Sequence, residues 1–263
     1  MCRILFAAGE GEEILPLLDA TVKAAENDPY KEKRGKGRQH GDGWGYILLK
    51  DGNVRHYRSI RPIFEDEGAV QSLKAELDGF AVLMVHTRAA SQGIKSLFNV
   101  QPFAFSSRRG FTFWVLHNGD LDKERIISLA ELNKNDLELA SDSYAFATYL
   151  CRKLESTSLP NLLFHYRVIE ETIKTAFNTM TLFHDSRKGF SAFITARMRD
   201  EFLENQLEYD YYRLILLEKK NLFAVASSTV ELYHPEKYET IPNETAFKLP
   251  IEGERFEVKR VHL

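Results

Sequence analysis

Residue 2 of this chain is a cysteine, in the opening stretch MCRILF. A cysteine so placed is commonly a small buried apolar residue, but the position also offers chemistry. If Met1 is removed, a thiol and a primary amine share one α-carbon. Their reference pKa values, about 8.5 and about 7.7–8.0, allow proton exchange near neutral pH. Three later segments carry polar groups at the ends of apolar runs: HGDGWGY with Asp42 and Trp44, VHTRAAS with His86, Arg88 and Ser91, and LHNGDL with His117, Asn118 and Gly119. Singly, each has an ordinary explanation. A histidine on an apolar strand is commonly a hydrogen-bonded core residue, Asn118-Gly119 suits a turn and Asp42 a loop, and Trp44 suits an aromatic core. Jointly they put His, Arg, Asn and Asp at strand ends, where a sheet would gather them along one rim.

The elements that must hold these groups follow from periodicity. CRILFAA reads as a strand and EEILPLLDATVKAAEND as a helix, with Ile14, Leu17, Leu18, Val22 and Ala25 at helical spacing and Pro16 in the first turn. The Gly-rich, basic KEKRGKGRQHGDG reads as a solvated loop. Asp51-Gly52 marks a type I′ hairpin within GWGYILLKDGNVRHYRS. Further strands are predicted at GFAVLMVHTR, GFTFWVLHNG, GFSAFITARM, YYRLILLEK and NLFAVASST, the last two joined by a hairpin at KNL. Helices are predicted at EDEGAVQSLKAEL, DKERIISLAEL, SDSYAFATYLCRKL, capped by Ser141 or Asp142, and PNLLFHYRVIEETIKTAF, with Pro160 near its start. FKLPIEGERFEVKRVHL reads as a closing pair of strands. Strands joined by short connections, with helices in blocks, favour antiparallel sheets over a doubly wound parallel one.

The 263 residues, 44% hydrophobic and 12% aromatic, suffice for one large core or two modest ones, and a single domain over residues 1–263 is expected. A formal charge of −3, with 28% charged residues, provides no basic field to gather nucleic acid or anionic membrane. The apolar run after Met1 breaks at Gly9 and Glu10, too early for a signal-peptide core, and no stretch approaches the roughly 18 apolar residues of a membrane span. The cytoplasm is the expected compartment. Cys2 and Cys151 are the two cysteines and lack CxxC spacing, so both are expected to be free. The expected partner is a small molecule or another protein.

In order and spacing, five segments resemble those of the class II glutamine amidotransferases, a branch of the N-terminal-nucleophile hydrolases. Cys2 matches their nucleophile, HGDGWG their DG[WF]G turn, HTRAAS their HxRxAT segment, QPF their HPF, and HNGDL their HNGxL element. SDSYAFA resembles the stretch that supplies a substrate-binding acid, and VASSTVEL resembles the VASEPL stretch of small stand-alone members. The resemblance covers residues 2 to 150. His40 stands where relatives usually carry Asn, Ser91 where they carry Thr, and Gln101 where they carry His.

The resemblance implies an α+β fold, a four-layer αββα sandwich of two antiparallel sheets between helical layers. It implies hydrolysis of the γ-amide of glutamine, or of a γ-glutamyl compound, through a thioester on Cys2, with the α-amine of Cys2 as general base. Asn118 and Gly119 would stabilise the oxyanion, Arg88 would clamp the substrate carboxylate, Ser91 would add a contact, and Asp142 would meet the ammonium. Asp42, Trp44 and His86 would shape the site. Ammonia would pass to water or to a synthetase or acceptor subunit, the acceptor chemistry being expected on a partner; a homo-oligomer is the other assembly expected. Neither cofactor nor metal is required. Two rival readings stand beside this one. His40, Asp42, His86 and His117 could serve a metal hydrolase, though without HxxxH or HExxH spacing; a chain that retains Met1 could be a non-catalytic glutamine-binding or regulatory module.

Overall fold

The structure, a computed structural model, describes residues 2–263, and the expectation that Met1 is removed lies outside them. In chain order the strands are β1 (Arg3–Glu10), β2 (Trp44–Lys50), β3 (Asn53–Ser59), β4 (Phe80–Thr87), β5 (Phe103–Ser107), β6 (Phe111–Leu121), β7 (Ile173–Asp185), β8 (Gly189–Ala196), β9 (Leu214–Lys219), β10 (Leu222–Ser227), β11 (Glu239–Thr240), β12 (Thr245–Glu252), β13 (Arg255–Phe256) and β14 (Lys259–His262). The helices are α1 (Gly11–Glu26), α2 (Pro29–Lys33), α3 (Glu67–Ala75), α4 (Lys123–Leu129), α5 (Asp142–Lys153), α6 (Leu159–Glu170) and α7 (Gln206–Tyr212). The class is α+β, with two antiparallel sheets, as expected.

The chain divides into two compact units. The first holds residues up to 89, with 100–102 and 200–242, around a sheet of order β11-β9-β10-β1-β4-β2-β3. Leu5 and Ala7 of β1 pack with Ile14, Leu17 and Leu18 of α1 in one apolar cluster, each large side chain contributing about 1.5–3 kcal/mol by leaving water. Alternation then places Ile4, Phe6 and Ala8 on the other face of the sheet, where they are buried too. The β2–β3 hairpin turns at Asp51 and Gly52, with φ of 50° and 71°, the left-handed conformation that a type I′ turn needs.

The second unit holds residues 90–99, 103–199 and 243–263. Its sheet runs β13-β12-β8-β7-β6-β5, with β14 paired to β12. Phe113, Val115 and Leu121 of β6 join Ile126 of α4, Phe146 and Leu150 of α5, and Leu162 and Tyr166 of α6 in its core. His117 shares that helical face, bonded to Ser143 of α5, so alternation turns Asn118 to the opposite face.

Several expectations need correction. The helix predicted over PNLLFHYRVIEETIKTAF ends at Glu170, and Ile173 begins β7, a central strand absent from the sequence reading. Thr172 closes the helix by donating both its N–H and its hydroxyl to the Ile169 carbonyl, at 2.8 and 2.7 Å. YYRLILLEK is strand only from Leu214; Tyr211 and Tyr212 finish α7, which Asn205 caps by accepting from the N–H groups of Leu207 and Glu208. The basic stretch after Asn27 is not simply a solvated loop: it contains α2, and Lys31 and His40 are buried. Ser141, not Asp142, caps α5, accepting from the N–H of Tyr144 at 3.2 Å. Among the described residues no helix is long and apolar enough to cross a membrane.

Candidate active site

Cys2 is half-buried at the edge of β1, its Sγ 3.8 Å from the Ala89 carbonyl oxygen. Its neighbour Arg3 is wholly buried. The guanidinium donates Nε to Asp28 Oδ2 at 2.7 Å, lies 2.6 Å from the same oxygen through Nη2, and donates Nη1 to the Tyr211 carbonyl at 2.9 Å. It also stacks over the Tyr211 ring, 4.1 Å from the centroid. Asp28, equally buried, takes Nε2 of His40 at 2.8 Å on Oδ2 and the hydroxyl of Thr229 at 3.2 Å on Oδ1. Its Oδ1 also caps α2 by accepting from the N–H groups of Tyr30 and Lys31. Burial alone would raise its pKa, but the Arg3 charge and the His40 bond outweigh it and hold the carboxyl well below the usual range. Burial, with the Arg3 charge, lowers His40 to about 3 against the pull of Asp28. His40 is therefore neutral at pH 7, and its Nε2–H donates to the carboxylate.

From His40 the chain enters the DGWG turn. The Asp42 N–H donates to the Arg88 carbonyl at 2.9 Å and the Arg88 N–H to the Gly43 carbonyl at 2.8 Å, so the turn is laced to the end of β4. Both glycines have steric reasons. Gly43 has φ of 106° and a side chain there would meet Val100 Cγ2 at 2.8 Å; one at Gly45 would meet the Gln101 carbonyl at 2.5 Å. Ile4, His86 and Gly45 align across β1, β4 and β2, as do Arg3, Thr87 and Trp44 in the next row. His86 is buried, and Arg88 is 3% exposed. Trp44 belongs to the apolar cluster beneath the sheet, donating Nε1–H to Asp66 Oδ2 at 3.0 Å.

In the second unit, Asn118 is buried opposite Asn178 on β7, whose Oδ1 accepts from the N–H of Arg197 at 3.0 Å. Gly119 lies at a register shift between β6 and β7; a Cβ there would stand 1.7 Å from the Ala176 carbonyl oxygen, so only glycine fits. Asp142 is buried and accepts from the N–H of Leu121 at 2.8 Å. Burial, aided by the Asp120 charge, pushes it up to about 7 against these hydrogen bonds. Ser91 is exposed. The loop that carries it is pinned by Asn99, which donates Nδ2 to the carbonyls of Ile94 (3.0 Å) and Leu139 (2.9 Å) and accepts from the N–H of Ser141 at 2.7 Å.

His117 bridges Ser143 Oγ, 2.9 Å from Nδ1, and the Ala176 carbonyl, 3.2 Å from Nε2. Burial lowers it to about 4. The unfolded chain binds that proton near pH 6.5 and the folded chain does not, so stability falls as pH drops from about 6.5 to about 4, by about 1.4 kcal/mol per unit. Asp142 works in the opposite sense, its contribution being lost as pH rises toward 7. Urea unfolding of wild type and His117→Gln isolates the histidine: between pH 6.5 and 5 wild type is expected to lose about 2 kcal/mol more than the variant.

The sequence reading missed Arg3, Asp28 and Asn99; the Asp28-Pro29 pair, a cap followed by proline at the first helical position, was the available signal for α2. Of the residues named for a metal site, His40 is tied to Asp28 and His117 to Ser143. Among the described residues no group of three or more His, Cys, Asp or Glu side chains is placed to hold a metal ion.

Residues 24–140 match the family model of the class-II glutamine amidotransferases. No curated protein sequence matches the chain. Among solved structures, the glutamine phosphoribosylpyrophosphate amidotransferase of B. subtilis, complexed with ADP and GMP, is similar with a TM-score of 0.61 at 15% identity, over 98% of this chain and 49% of that one. A structure described as the allosteric regulatory enzyme of purine biosynthesis has a TM-score of 0.62 at 15% identity, over 98% and 49%. A glutamine aminotransferase class-II domain protein of Silicibacter pomeroyi has a TM-score of 0.53 at 12% identity, over 99% of both chains. The chain thus spans about half the length of the first two. At these identities the likeness shows the fold alone. Residues 24–140 thus carry the sequence pattern of the class-II glutamine amidotransferases, and nearly the whole chain is similar in fold to these solved structures.

Proposed function

We propose that the chain, acting as a single domain over residues 1–263, hydrolyses the γ-amide of glutamine, or of a γ-glutamyl compound, with Cys2 as nucleophile. An amide is a poor electrophile, so a covalent step helps. The Cys2 thiol passes its proton to the α-amine freed by loss of Met1, and the sulfur attacks the γ-carbonyl carbon. The amide C–N bond then breaks as the amine returns the proton to the leaving nitrogen, which departs as ammonia from glutamine or as the free amine from another γ-glutamyl compound. Water hydrolyses the thioester, releasing glutamate and the thiol. The Asn118 amide and the Gly119 N–H stabilise the oxyanion. Arg88 takes the substrate carboxylate with its planar fork, Ser91 adds a contact, and Asp142 meets the ammonium, whose charge favours the ionised carboxylate that burial opposes. Asp42, Trp44 and His86 shape the surroundings. Ammonia passes to water or to an acceptor-bearing partner subunit, and free thiols suit the reducing cytoplasm.

The observation that carries this reading is the register of β1, β4 and β2: the strand that follows Cys2 lies beside the strand ending in His86-Thr87-Arg88, which in turn pairs with the strand opening at Trp44. Ammonia and glutamate release from a panel of γ-glutamyl compounds tests it. Equimolar glutamate and ammonia from glutamine, or glutamate and the free amine from another member, unchanged by EDTA, is expected; no glutamate from any of them, in protein whose intact mass retains Met1, contradicts it and favours the binding module.

A further inference from the structure

A buried ion pair is a poor source of stability, because desolvating two charges offsets their attraction and an apolar pair of equal volume does as well. What such a pair supplies is orientation, since the planar guanidinium is fixed by its carboxylate. Arg3 has that character. Besides Asp28 and Tyr211, its Nη1 reaches the carbonyl oxygen of Cys2 at 3.4 Å, so the group that fixes Arg3 also acts on the peptide plane joining Cys2 to Arg3. Asp28 is in turn held by His40 and by Thr229. Thr229 belongs to VASSTVEL, and Ser227 of the same stretch accepts from the N–H of Ile4 at 3.0 Å. Ser228 is bonded to the Asp210 carbonyl, which steadies the segment against α7. The 225–232 segment therefore grips the strand after Cys2 at Ile4 directly and at Arg3 through Asp28.

We propose that Asp28 is a positioning residue for the nucleophile: through Arg3 it fixes the Cys2–Arg3 peptide plane, and hence the direction of the Cys2 thiol and amine, while His40 and the VASSTVEL segment hold Asp28 in place. This rests on the reaction assigned above. Asp28 touches no reacting atom; it acts through Arg3. His40 serves as a neutral N–H donor, a task that an asparagine amide also performs, whereas leucine leaves the carboxylate short of one donor.

The test compares wild type with Asp28→Asn, His40→Leu, His40→Asn and Thr229→Val. The readouts are kcat and KM for ammonia release, iodoacetamide alkylation of Cys2 against Cys151 within the same chain, and melting temperature. Misplacing a reacting group by about 1 Å can cost about 100-fold. Asp28→Asn and His40→Leu are expected to lower kcat by about 10- to 100-fold with KM within about twofold, and to change alkylation at Cys2 but not at Cys151. His40→Asn is expected to restore most of kcat. Should Asp28→Asn fail to fold, the His40 pair and Thr229→Val decide. Wild-type kcat in folded His40→Leu and Thr229→Val, or a loss in His40→Asn as deep as in His40→Leu, overturns the proposal. If wild type releases no ammonia, the assigned reaction fails instead, and the Cys2-against-Cys151 alkylation contrast alone decides the positioning.

Discussion

Cys2→Ala is expected to abolish ammonia release, by at least about 10⁴-fold in kcat, because removing a nucleophile leaves only binding and oxyanion stabilisation. Alanine keeps a small second residue, so methionine removal and the α-amine survive and the loss is assignable to sulfur. The paired control is Cys151→Ala. Cys151 is half-buried, its thiol 3.8 Å from the Ser106 carbonyl and pushed up in pKa by burial; none of the assigned chemistry uses it. Steady-state ammonia assays should give near-wild-type kcat for Cys151→Ala and none for Cys2→Ala. The reverse pattern would move the reaction to the wrong cysteine.

Asn118→Ala carries the second largest expected effect, a fall of about 10² to 10³ in kcat, corresponding to about 3–4 kcal/mol of lost oxyanion stabilisation. KM for glutamine should change little, because charge on the oxygen develops only in the transition state. Asn118 is the cleaner of the two proposed donors to remove. Gly119 abuts the Ala176 carbonyl so closely that any side chain would push β6 from β7, and a variant there would report on folding as well as on the donor. A KM rise with unchanged kcat for Asn118→Ala would place this amide in ground-state binding instead.

How much was legible in the sequence divides along physical lines. β1, the β2–β3 hairpin, β4, β6 and β8 were readable because their apolar runs are bounded by glycine, turn or charged residues. β7 was not. Residues Ala176 to Phe183 are buried on both faces, which erases the alternation that marks a half-buried strand, and EETIKTAF continues a helical pattern until Thr172 closes it. The catalytic-candidate motifs were legible because each is a local string. The support of Cys2 was not, since Asp28 is reached from Arg3 across 25 positions and from Thr229 across 201. A charge-rich stretch gives no local sign that one of its carboxylates will meet a buried arginine.

The most direct measurement of the central claim is peptide mass mapping of protein quenched in acid during glutamine turnover. The expected result is one γ-glutamyl group on an N-terminal peptide that begins at Cys2, absent from Cys2→Ala. A γ-glutamyl group on Cys151, or turnover by a chain that still carries Met1, would contradict it.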